Sequence, residues 1–157
     1  MRIARPKWLG GLMVSLMAVV ALPAQAATDP AATVDAFHAA LHAGKRDLAL
    51  SLLAPDVSMY EQGFVESSRN SYSGGHITAD MLFAKDTSYK VTERHMLWFG
   101  DSAACVMSQT TTRGQFQGQT IDLIGTETVV LRKAGDGWAI VHIHTSAHPR
   151  SKQDGDQ

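Results

Sequence analysis

The chain has 157 residues, 45% of them hydrophobic, with 14 Lys and Arg against 15 Asp and Glu. That length supports one domain with its own core. The balance of charge argues against nucleic acid as a partner, which needs clustered Lys and Arg, and a single cysteine excludes an internal disulfide.

Residues 1–26 read as a secretory leader rather than as part of the fold. Arg2, Arg5 and Lys7 precede an uncharged, mostly apolar run from Trp8 to Leu22, and Pro23-Ala24-Gln25-Ala26 offers a small-residue cleavage site. The run has 15 residues, short for a membrane span of about 20. The expectation is therefore export, a periplasmic location, and no membrane attachment after cleavage. The mature chain keeps 11 Lys and Arg against 15 Asp and Glu, a formal net charge of −4. Cys105 lies in an apolar run and reads as a buried small hydrophobe.

The folded domain is expected over residues 27–148, with a polar tail at 149–157. Asp29-Pro30 is a cap and first-turn pair, and Val34, Phe37 and Leu41 give the stripe of a first helix ended by Gly44. His38 and His42 flank that stripe and are expected to face solvent. A second helix is expected from Arg46 to Leu53. Val57 to Glu61 and Phe64 to Glu66 read as a short hairpin about Gln62-Gly63. Ser67 to Asp86 reads as a third helix broken at Gly74-Gly75, started by Ser68 or Ser71 and restarted by a Thr78 cap. Four longer strands follow: Tyr89–Phe99, Ala103–Arg113, Ile121–Arg132 and Trp138–Ser146, with Gly114 to Gly118 as a loop. Helices on one face of an antiparallel sheet make an α+β layer fold.

Two stretches carry a family resemblance. Val34-Asp35-Ala36-Phe37-His38-Ala39-Ala40-Leu41-His42-Ala43-Gly44-Lys45-Arg46-Asp47, with Leu52-Leu53-Ala54-Pro55-Asp56-Val57 after it, resembles the start of the nuclear transport factor 2-like superfamily. Gly135-Asp136-Gly137-Trp138-Ala139-Ile140-Val141-His142-Ile143-His144-Thr145-Ser146 resembles the closing strand of its SnoaL-like and DUF4440-type branches. The resemblance implies a cystatin-like cone, a curved antiparallel sheet wrapped around the N-terminal helices, often dimeric through the outer face of the sheet. A homodimer is expected on that ground, with Val141 and Ile143 in an exposed apolar patch. The superfamily hosts isomerases, dehydratases, hydrolases and non-catalytic modules, so fold alone assigns no activity. Ketosteroid isomerase relatives bring a Tyr from the first helix, where this chain has Phe37, His38 and Leu41. The Asp-Arg-Asp set of epoxide hydrolase relatives finds only Arg113 and Asp122. His76, His142, Tyr60 and Tyr72 loosely echo dehydratase relatives.

The chemistry-bearing candidates are Tyr60, Glu61, His76, Glu127, His142 and His144. His142 and His144 alternate onto one strand face, a pattern that suits metal or acid–base work. No spacing fixes a third ligand, and no metal or cofactor is expected. Strict alternation also puts His142 on the face of Trp138 and Ile140. Glu127 shares its face with Val129 and Leu131, and Glu61 with Val57 and Met59. A carboxylate on an apolar face must be paired or must line a pocket. His76 beside Gly74-Gly75 reads as a lid residue or a helix junction. The function these residues suggest is binding of a small, largely apolar molecule in the cone. The alternatives are proton transfer by a His–carboxylate pair, which requires one pocket His with a carboxylate in hydrogen-bond reach, and a dimeric interaction module.

Overall fold

A computed structural model describes residues 29–151. The expected leader at residues 1–26 and the end of the expected tail, residues 152–157, lie outside the described residues. The elements run in the order α1 (Pro30–His42), α2 (Arg46–Ser51), β1 (Leu53–Glu61), β2 (Phe64–Glu66), α3 (Arg69–Gly74), α4 (Ile77–Asp86), β3 (Thr87–Phe99), β4 (Ala103–Phe116), β5 (Gln119–Ala134) and β6 (Gly137–Pro149).

Local chemistry accounts for the starts of α1 and α3. The Asp29 side chain accepts from the Ala32 amide at 3.3 Å, and Pro30 occupies the first turn of α1. Ser68 caps α3 by accepting from the Ser71 amide at 3.0 Å. The helix then breaks at Gly75, where a Cβ would stand 2.8 Å from Glu66 Oε1. The crowding atom is the end of a side chain from β2, not its backbone. α4 starts after His76 without a side-chain cap, and Thr78 lies inside it rather than capping it.

Six strands form one sheet in the order β2-β1-β6-β5-β4-β3. All neighbours are antiparallel except β1 and β6, which run parallel, so the sheet is mixed. Four of its strands have 13 to 16 residues, longer than expected. The segment expected as a loop at Gly114 continues β4, and the turn comes at Gln117 and Gly118, both with positive φ. That two-residue turn suits the twist of a hairpin. β6 likewise runs on to Pro149, past the expected end of the domain.

The core lies between the sheet and α1. Val57, Met59, Val106, Val129, Leu131, Ile140 and Ile143 from the sheet meet Val34, Phe37, Leu41, Tyr72 and Ile77 from the helices, all buried. Each fully buried aliphatic side chain contributes roughly 1.5–3 kcal/mol. Arg94 on β3 adds a fork to Asp35 on α1, with contacts of 2.7 and 3.0 Å, and its Nε donates to Ser108. Cys105 is buried at 7% exposure, and burial raises its thiol pKa.

One irregularity reorients the last strand. Leu131 pairs with Ile140, but Val130 pairs with His142, so Val141 is an extra residue in β6. A bulge of this kind reverses the alternation beyond it. Trp138 and Ile140 face the core, as does Ile143, at 5% exposure. His142 and His144 are thereby turned to the other face. Two expectations are corrected: His142 does not share the face of Trp138, and Ile143 belongs to the core rather than to an outer patch.

Of the sheet's glycines, Gly114 has the closest backbone neighbours. A Cβ there would meet Asp86 O and come within 2.8 Å of Thr87 Cα, both backbone atoms that join α4 to β3. Gly114→Ala should therefore lower stability by about 2 kcal/mol or more, as overpacking against backbone does. Urea denaturation reads this, and a loss within about 0.5 kcal/mol of zero would contradict the packing described.

Candidate functional site

Between α1, α3, α4 and the concave face of the sheet lies a cavity of about 490 Å³. That is within the usual range of small-molecule sites, roughly 300–1,000 Å³. Phe37, Leu41, Met59, Phe83, Leu123 and Ile143 supply apolar wall, and Gly125 leaves space where β4, β5 and β6 converge. A Cβ at Gly125 would approach Thr110 Oγ1 to 2.8 Å.

The buried carboxylate of Glu127 stands in this wall. Its side chain is 4% exposed, and its Oε2 lies 2.8 Å from His38 Nε2 on α1. Tyr89 on β3 donates its hydroxyl to Oε1 at 3.4 Å. The Tyr89 ring also stacks on His38, with centroids 4.3 Å apart at 17°. Three elements thus converge on one carboxylate. An ionised carboxylate only accepts, so the His38–Glu127 bond requires the proton on Nε2. This leaves Nδ1 as the basic ring nitrogen, and no protein group bonds to it among the described residues. His38 lines the cavity with 23% of its side chain exposed.

Glu61 and Asp80 bring two more carboxylates to the same cavity. Glu61 is exposed by area and lines the cavity, on the same strand face as Val57 and Met59. Loss of hydration among the walls, reinforced by repulsion from Asp80, raises its pKa to about 7. Burial also raises Asp80, against the lowering effect of the Tyr72 hydroxyl, which donates to Oδ2 at 2.7 Å. The hydroxyls of Tyr72 and Tyr89 are pushed upward, first by burial and then by the carboxylates beside them. Both remain donors at neutral pH.

The sequence-based candidates divide between two faces. Glu61 and Glu127 line the cavity. Tyr60, His142 and His144 do not. Tyr60 alternates with Met59 and Glu61 and so points out of the opposite face, and the bulge at Val141 sends both histidines there too. The three rings gather outside the cone, with Tyr60 5.6 Å from His142 and 6.4 Å from His144 between centroids. His142 Nδ1 is 2.8 Å from Ser58 Oγ. His76 is also not a cavity residue. Its Nδ1 bonds Glu66 Oε1 at 2.7 Å and its ring meets the edge of Phe64, which ties the α3–α4 junction to β2. Arg113 and Asp122 pair at 3.2 Å on the exposed surface. No group of three or more His, Cys, Asp or Glu side chains is placed to hold a metal ion among the described residues.

His38 is the principal residue that the reading of the sequence put in the wrong place. The signal was present: Val34, Phe37, His38, Leu41 and His42 follow the i, i+3, i+4, i+7, i+8 spacing of a buried helix face. Both histidines border the cavity, but only His38 is withdrawn from solvent; His42 is exposed, as expected. Its polar residue type hides His38 from the stripe.

Comparison with known proteins agrees with this architecture. A protein from Shewanella frigidimarina, provisionally named a ketosteroid isomerase, is 36% identical, with coverage of 76% of this chain and 98% of that one and a TM-score of 0.70. An NTF2-like protein with a cystatin-like fold from Novosphingobium aromaticivorans is 12% identical, over 79% of this chain and 82% of that one, at a TM-score of 0.63. A protein from the same organism provisionally named a scytalone dehydratase is 15% identical, over 75% and 80%, at 0.65. The last two show likeness of fold alone. No curated protein matches the sequence. Residues 31–150 match the SnoaL-like domain. The chain belongs to the SnoaL-like family, within the NTF2-like superfamily and its cystatin-like fold.

Proposed function

We propose that this protein binds a small, largely apolar molecule in the cone and moves a proton on it, in the manner of an isomerase or dehydratase. The observation that carries this reading is the His38–Glu127 pair at 2.8 Å inside a mostly apolar cavity. A carboxylate that holds one imidazole nitrogen fixes the ring's orientation and tautomer and stabilises the imidazolium formed when the other nitrogen takes a proton. In this reading His38 Nδ1 is the acid–base atom, Glu127 is a positioning residue, and the Tyr89 hydroxyl bond helps hold the carboxylate in place. Glu61, with its pKa raised to about 7, is a second group able to take and return a proton near neutrality. The similarity to a chain provisionally named a ketosteroid isomerase supports the reaction class.

The first test follows solvent deuterium into the acidic C–H positions of small cyclic ketones and enones by NMR. The wild-type protein should accelerate exchange on at least one of them. His38→Gln should reduce the rate by about 10²- to 10⁴-fold, the usual range for removal of a general base. Glu127→Gln should reduce it less and leave binding of the ketone intact. Exchange no faster than in buffer across the panel, or a His38→Gln rate equal to wild type, would contradict the proposal.

The second test reads Glu61 through stability. Its folded pKa of about 7 lies above its ordinary value of 4.5, so folding takes up a proton between the two. Its destabilising effect is absent below the lower value, grows as pH rises through this window, and is complete above about 7. Glu61→Gln should match wild type in acid and be more stable at higher pH. After a discount for screening by cavity water, the gain is about 1 kcal/mol. Calorimetric melting across the range checks it, and a variant less stable than wild type above pH 7 would refute the crowding of Glu61 described here.

A further inference from the structure

Among the described residues three carboxylates line the cavity, Glu61, Asp80 and Glu127, yet no Lys or Arg side chain does. The two histidines in the wall, His38 and His42, are the basic groups available. His38 is already engaged with Glu127 at 2.8 Å. Asp80 receives a neutral donor, the Tyr72 hydroxyl, at 2.7 Å. Glu61 makes no hydrogen bond among the described residues. Thr145 Oγ1, also in the cavity wall, is buried without a hydrogen-bond partner. The site as built therefore has unused acceptor capacity and a surplus of negative charge, set in an apolar and aromatic enclosure. Phe37, Tyr72, Phe83 and Tyr89 are the rings of that enclosure. Aromatic faces and carboxylates together favour an organic cation, since ring quadrupoles attract positive charge at no cost to apolar contact. An anion would meet repulsion and find no cationic partner of fixed charge.

We propose that the molecule seated in this cavity is a small, largely apolar amine, bound as its ammonium form with Glu61 and Asp80 as its charge partners. This inference rests on the reading of the cavity as the ligand site and adds the chemical class of the ligand. An ammonium group would donate to Glu61 and to the free lone pairs of Asp80, in charge-assisted bonds roughly twice as strong as neutral ones. It would leave the His38–Glu127 pair free to act on a C–H bond that a carbonyl elsewhere in the same molecule acidifies. Affinity should depend on pH through Glu61. The groups facing that carboxylate in the cavity are His38 and His42 on α1, Tyr72 on α3, Asp80 on α4, Tyr89 on β3 and Glu127 on β5, and His76, outside the cavity, acts on it through its charge. With the pKa of Glu61 at about 7, the ammonium finds a full negative charge only above that pH.

The experiment is calorimetric titration of the protein with three probes of one shape: 2-phenylethylamine, 2-phenylethanol and phenylacetate. At about pH 8 the amine should bind at least about tenfold more tightly than the alcohol, and phenylacetate should not bind. At about pH 5 the amine's advantage should shrink several-fold, because Glu61 is protonated while the amine stays charged. Glu61→Gln should remove most of that pH dependence and spare the alcohol, and Asp80→Asn should weaken the amine at about pH 8. An alcohol that binds as tightly as the amine, or a phenylacetate that binds more tightly, would overturn the amine assignment and leave the cavity reading standing. Absence of binding by all three probes would overturn the amine assignment, and with no ketone exchange as well, the cavity reading would fall too.

Discussion

The burial of one carboxylate organises the concave side of this molecule. Glu127 sits on β5 among Val129, Leu131 and the core, and a charge in such surroundings is costly unless paired. The pairing comes from elements distant in sequence: His38 on α1, 89 residues away, and Tyr89 on β3, 38 residues away. To satisfy Glu127, helix and edge strand must both lean over the sheet, and the space they enclose is the cavity. The Arg94–Asp35 fork holds the same helix to the same strand one turn earlier along α1. Removal of His38 would leave a buried acceptor without its main donor, so geometry and chemistry rest on the same bond.

The two faces of the sheet serve different ends because β6 carries a bulge. Before Val141, Trp138 and Ile140 fill the closed end of the core; beyond it, Ile143 and Thr145 line the cavity and His142 and His144 point away. Without the extra residue, two imidazoles would stand in the core where Ile143 now packs. The cavity would lose apolar wall and gain basic groups. The shift therefore separates an acidic, aromatic interior from a His- and Tyr-bearing exterior.

The fold was largely legible from residue pattern. Asp29-Pro30 announced α1, Gly74-Gly75 announced the broken helix, and the alternation of Val, Thr and Ile announced four long strands. Glu61 and Glu127 were found by a physical argument, since a charge on an apolar face needs a pocket or a partner. The partner, His38, is harder to read, because a histidine counts as polar although its spacing places it in the buried stripe with Phe37 and Leu41. Tyr60, His142 and His144, candidates by residue type, lie on the face away from the cavity. For the histidines the cause is specific: Ala139-Ile140-Val141-His142 contains no glycine, proline or other mark of a bulge, and a one-residue slip inverts every side chain beyond it. The parallel pairing of β1 with β6 was illegible for a related reason, since it joins segments that no short turn connects.

The concave site depends most on the bond between His38 and Glu127, and NMR of the imidazole protons tests that bond directly. A proton on His38 Nε2 held by a buried carboxylate should give a downfield N–H resonance that exchanges slowly with water and vanishes in Glu127→Gln while the rest of the spectrum stays folded. A His38 Nε2 proton that exchanges as fast as a free imidazole, or one unchanged in Glu127→Gln, would contradict the account.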